Sequence, residues 1–115
     1  MKNNTHRTTP LSEPVTYILL SLSPGPKHGY AIMKDMDELS DGQARLSVST
    51  LYECLGRLLN DGLIERLEED GGDATLRPRK IYQLSHLGRR VLEAEVTRMQ
   101  GLVARAERRL RLEDV

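Results

Sequence analysis

Residues Ser47 to Leu67 read SVSTLYECLGRLLNDGLIERL, and this stretch decides the fold. Leu51, Leu55, Leu58 and Leu59 recur at the three- and four-residue spacing that gathers apolar side chains on one face of an α-helix. Ser47 stands just before the first turn, where a hydroxyl can accept from backbone N–H groups that have no partner within the helix. Asn60-Asp61-Gly62 ends the pattern with a glycine free to take the left-handed conformation. Leu63-Ile64-Glu65-Arg66-Leu67 then reads as a strand. A helix over 48–60 therefore runs, after one tight turn, into a strand.

Downstream, Lys80-Ile81-Tyr82-Gln83-Leu84 gives a second strand. The polar loop between the two contains Gly71, Gly72 and Pro78, so the pair is expected to form a hairpin with a long, charged tip. Ser85 caps a last helix that continues to about Leu112. Within it Leu92, Val96, Met99, Val103, Ala106 and Leu110 are spaced alternately by four and three residues. This is a heptad seam just under three repeats long, and a small chain cannot cover all of it internally. Gly101, inside the seam, costs ~1 kcal/mol relative to alanine or else permits close helix approach.

Upstream, Ala44-Arg45-Leu46 has the length of a short edge strand. A second helix is expected from about His28 to Leu39, with Ile32, Met33, Met36 and Leu39 inward and Gly42 as its left-handed cap. A first helix opens near Ser12, with Glu13 and Pro14 in its first turn, and places Val15, Ile18, Leu19 and Leu22 on one face. Ser23-Pro24-Gly25-Pro26-Lys27 stops it. The resulting order, α-α-β-α-β-β-α, is that of a winged helix-turn-helix: a mainly α (α+β) fold with a long C-terminal dimerisation helix. The expected division is a disordered arm over 1–10, a winged-helix domain over 11–85, and the dimerisation helix over 86–115.

Composition narrows the function classes. The chain has 115 residues, of which 38% are hydrophobic and 30% charged, with no Trp or Phe. Its 17 basic and 17 acidic residues cancel, so any affinity for nucleic acid must come from local placement of charge. A single cysteine, Cys54, cannot form an internal disulfide, and on its helix it reads as a small core hydrophobe. No apolar run approaches the ~20 residues that span a bilayer. A soluble, cytoplasmic protein without membrane contact is expected. His6, His28 and His86 have no ligand spacing, so no metal is expected. No nucleophile–base pair or phosphate-cradling loop is evident, so neither a cofactor nor an enzymatic activity is expected.

Three blocks carry a resemblance to a known family. They are His28-Gly29-Tyr30-Ala31-Ile32, then Ser47-Val48-Ser49-Thr50-Leu51-Tyr52 with Leu55, Leu58 and Gly62-Leu63-Ile64, then Tyr82-Gln83-Leu84-Ser85 with Gly88. In this order and spacing the chain resembles the PadR family of bacterial transcriptional regulators over roughly Val15 to Leu92, and its single last helix is similar to that of the smaller subfamily. The resemblance implies a homodimeric regulator, often a repressor, released from a pseudo-palindromic operator in double-stranded DNA by a small-molecule effector or another signal. The family often carries Pro-Gly where this chain has Val48-Ser49, and Pro where it has Glu53. Base preference therefore does not transfer from relatives. The absent tryptophan removes the stacking residue that some small relatives use to hold flat aromatic drugs.

On the third helix Ser47, Ser49, Thr50, Tyr52, Glu53 and Arg57 lie off the leucine stripe and are the candidates for base-edge and phosphate contact. Tyr52 can equally pack between helix and wing. In the wing, Arg77, Arg79 and Lys80 are expected to reach the DNA backbone, while the acidic tip, Glu68-Glu69-Asp70 and Asp73, is held off it. Neutral net charge and an acidic tip leave room for a second class, a winged-helix module that binds protein rather than DNA.

Overall fold

The structure is a computed structural model that describes residues 10–68 and 80–113. Its elements are α1 (Glu13–Leu22), β1 (Lys27–His28), α2 (Gly29–Leu39), α3 (Val48–Asn60), β2 (Ile64–Glu68), β3 (Lys80–Leu84) and α4 (His86–Glu113). The architecture is the mainly α (α+β) winged helix that the apolar periodicity predicts.

Each helix begins and ends where local chemistry dictates. Ser12 Oγ accepts from Val15 N (3.3 Å) at the start of α1. Ser47 Oγ accepts from Thr50 N (3.1 Å) at the start of α3. Ser85 Oγ accepts from Gly88 N (2.9 Å) in the first turn of α4 and donates to Gly62 O (2.6 Å), tying that turn to the end of α3. α3 ends in a Schellman turn: Leu63 N donates to Leu58 O (3.0 Å) and Gly62 N to Leu59 O (3.1 Å), with Gly62 at φ 76°. This turn uses up Leu63, so β2 starts one residue later than the apolar run suggests.

α2 closes by the same motif, with Gly42 N on Asp37 O (2.8 Å) and Asp41 N on Glu38 O (3.3 Å). Here the residue expected to take the left-handed position is displaced by one. Asp41 occupies it at φ 56°, and Gly42 follows at φ 81°. The turn also ends the inward stripe early: Leu39 is exposed, and Ser40 is buried in its place.

The three strands form an antiparallel sheet in the order β1-β3-β2. β2 pairs with β3 from Ile64↔Leu84 to Glu68↔Lys80, and β1 adds Lys27↔Tyr82 and His28↔Ile81 on the other edge. The third strand is thus Lys27–His28, and the strand expected at Ala44–Leu46 does not form. The polar groups of that segment are met by side chains instead: Ala44 N donates to Ser40 Oγ (2.8 Å), and Arg45 Nε to Asp37 Oδ1 (3.0 Å). At β1, Pro24-Gly25-Pro26 ends α1 and turns the chain out. Lys27 Nζ then holds Ser21 O (2.7 Å) and the Asp35 carboxylate (3.6 Å).

One apolar core results, built from Ile18, Leu19 and Leu22 of α1, Ile32 and Met36 of α2, Leu51, Cys54, Leu55 and Leu58 of α3, then Leu63, Ile64, Tyr82 and Leu92. Cys54 is buried within it, as a small hydrophobe would be. With four apolar residues of α3 facing inward, its opposite face is left to solvent.

Candidate nucleic-acid interface

α3 brings six of the expected contact residues to one exposed surface: Ser47, Ser49, Thr50, Tyr52, Glu53 and Arg57 all lie outside the core. Its first turn is a hydroxyl cluster. Besides capping Thr50 N, Ser47 Oγ donates to Thr50 Oγ1 (2.9 Å) and stands 3.3 Å from Ser49 Oγ. The hydroxyls that a sequence reading assigns to DNA are therefore first used to build the helix end. One turn on, the Arg57 guanidinium approaches Cys54 Sγ (3.9 Å). This holds the stem of the side chain along the helix.

Of the two uses open to Tyr52, packing is the one seen here. Its ring is 43% exposed, yet its phenol lies over Gly29 at the start of α2, where a Cβ would overlap the phenol oxygen. Gly29 lets the phenol settle there, and any larger residue would push the Tyr52 ring aside. Tyr52 also neighbours Tyr82 on β3. Burial, chiefly, and the Tyr52 phenol next, push the Tyr82 hydroxyl above its ordinary range, while Arg66 on β2 opposes them. Helix, sheet and α2 are thus keyed together by one side chain.

In the wing, Lys80 is exposed at the start of β3. Arg77 and Arg79, and the acidic tip residues Glu69, Asp70 and Asp73, lie outside the described residues. Two further exposed residues lie near this surface, of which Arg66 escaped the sequence reading. Arg66 sits on β2 opposite Tyr82, and Tyr30, on the first turn of α2, is 73% exposed.

The heptad seam divides in two. Leu92 is buried in the chain's own core, and Val96 packs against it. Beyond that point Val103 and Leu110 are 55% and 60% exposed, and Ala106 is exposed with them. Val96, Met99, Gln100, Val103, Ala104 and Glu107 line an open, mostly apolar groove along this part of α4. At the base of α4, the buried Glu95 carboxylate accepts from Arg98 Nη2 (2.6 Å) and Nε (3.1 Å) and from Leu11 N (3.4 Å). The Arg98 hydrogen bond is the main reason its carboxyl is held below the usual range, against the opposing effect of burial. Among the described residues no three His, Cys, Asp or Glu side chains cluster as metal ligands, and no helix is long and apolar enough to cross a membrane.

Comparison with known proteins places this arrangement. Residues 18–94 match the family model described as the transcriptional regulator PadR-like family. A PadR family transcriptional regulator from Eggerthella lenta is 31% identical with a TM-score of 0.63, over 83% of this chain and 81% of that one. The structure of Bacillus subtilis PadR in complex with operator DNA superposes with a TM-score of 0.62 at 24% identity, over 71% of this chain and 46% of that one. An uncharacterised 37.1 kDa protein in a transposon of Streptomyces fradiae is 38% identical over 88 residues, 76% of this chain. The chain spans only 23% of the length of that curated relative.

Proposed function

Since the chain belongs to the PadR-like family of transcriptional regulators, and so is a regulator rather than an enzyme, we propose that it acts as a homodimeric DNA-binding repressor. The observation that carries this reading is α3: Leu51, Leu55 and Leu58 are committed to the core, while Ser49, Thr50, Glu53 and Arg57 of the same helix are exposed to solvent. The B. subtilis relative in complex with operator DNA supports the same use of the fold.

Each α3 enters one major groove, with its N-terminal turn toward the bases. Arg57 and Glu53 offer a donor fork and an acceptor for base edges, and Lys80, with Arg77 and Arg79, neutralises phosphates. The part of the α4 seam beyond Val96, from Met99 to Leu110, pairs two copies and sets the separation of their readers. A small molecule that favoured one arrangement of the two α4 helices over the other would shift DNA affinity by that preference alone. Cytoplasmic action follows from this reading.

The test is selection of binding sites from a random duplex library. The expected product is an inverted repeat with half-site centres ~34 Å apart. Recovery of no common sequence, or of a single unpaired site, would count against a two-fold DNA reader.

A further inference from the structure

The hydroxyls at the start of α3 are largely occupied with one another, but the residue between them is not. Val48 is 58% exposed, whereas Leu51, Cys54, Leu55 and Leu58 on the same helix are buried. Tyr52 stands one turn beyond Val48, on the same side, and is 43% exposed; its phenol lies over Gly29, next to the 73% exposed Tyr30. An apolar ridge therefore runs along the leading end of the helix that carries the interface, amid Ser47, Ser49 and Thr50. Phosphates and base-edge donors give an isopropyl group nothing to bind. The apolar group that base pairs display in the major groove is the C5-methyl of thymine.

Resting on the DNA-binding reading above, we propose that Val48 packs against a thymine C5-methyl in each half-site and so selects thymine at one position. Ser47 holds the helix start rigid through Thr50 N and Thr50 Oγ1, so the isopropyl group is presented in a fixed place. Alanine at this first-turn position would keep the helix and lose the contact. Burial of one methyl group corresponds to about a fourfold change in affinity.

The experiment replaces each thymine of the selected duplex, one position at a time, with deoxyuridine, which removes only the methyl group. Binding is measured for the full chain and for Val48→Ala, with circular dichroism to confirm equal folding. One thymine per half-site should emerge at which uracil weakens the native protein about fourfold, while Val48→Ala is weakened beforehand and is indifferent to the exchange. Uracil effects that are absent, or equal in the two proteins, would overturn the assignment of Val48 and leave DNA binding standing. Failure of the native protein to prefer any duplex would overturn both.

Discussion

Ser21 lies on α1 fully sealed from solvent, its carbonyl taken by Lys27 Nζ and its Oγ without a hydrogen-bond partner among the described residues. A buried hydroxyl with no partner retains its desolvation cost, so Ser21→Ala should raise unfolding free energy by about 1 kcal/mol, read by urea denaturation. A decrease would show that the hydroxyl has a partner after all. Gly88 is the opposite case. A Cβ there would overlap the carbonyl oxygen of Leu63 and crowd Leu84, so backbone must move. Gly88→Ala should cost on the order of 2–3 kcal/mol, in the range of overpacked cores, by the same measurement. Gly88 was legible as part of a motif, but its reason was not. Gly29 and Gly88 stood in recognisable motifs, while the Tyr52 ring above one and the Leu63 carbonyl above the other are contacts between distant parts of the chain. Ser47 and Thr50 show the converse: correctly placed on the surface, they turn out to be bonded to each other.

Among the elements, α3 was legible because three local signals agree on it: the leucine stripe, the Ser47 cap and the Gly62 turn. β1 was not, since two residues carry no periodicity and its pairing with β3 links positions more than fifty residues apart. Ala44–Leu46 misled because its only strand signal was its length, and its one side-chain-bonded backbone donor among the described residues, Ala44 N, goes to Ser40 Oγ rather than to another strand. α4 carries two element-scale predictions. Val103 is exposed along the seam, so Val103→Asp should leave the fold intact while converting dimers to monomers in light scattering; an unchanged mass would place the dimer contact elsewhere. At the base of the same helix, Glu95 is held ionised by Arg98 and Leu11 N. Its folded-state pKa lies below the unfolded value of ~4.3, so its contribution is complete above that value. The contribution is lost as pH falls through the folded pKa. Denaturation midpoints should therefore drop more between pH 6 and 3 for the native chain than for Glu95→Gln. Equal acid sensitivity would remove Glu95 from the account.

At the scale of the whole molecule, one core packed from α1, α2, α3 and the sheet leaves the outer face of α3 and the far half of α4 exposed. Balanced charge, 17 basic against 17 acidic residues, means that no diffuse field draws it to DNA. On the proposed reading, affinity comes from local contacts by Arg57, Lys80 and their neighbours in two copies at once. The fold was readable from the order of its elements, whereas the proposed DNA surface was readable only as a set of candidates, because exposure depends on what the rest of the chain covers. The most direct test is equilibrium binding of the full chain to its selected duplex and to an unrelated one over salt concentrations from about 50 to 200 mM. With six to ten phosphates contacted by the dimer, affinity should fall by roughly 10³–10⁵ across that range, and the selected duplex should be preferred at every concentration. Binding that is insensitive to salt, or the same for both duplexes, would contradict the claim that this protein is a specific reader of DNA.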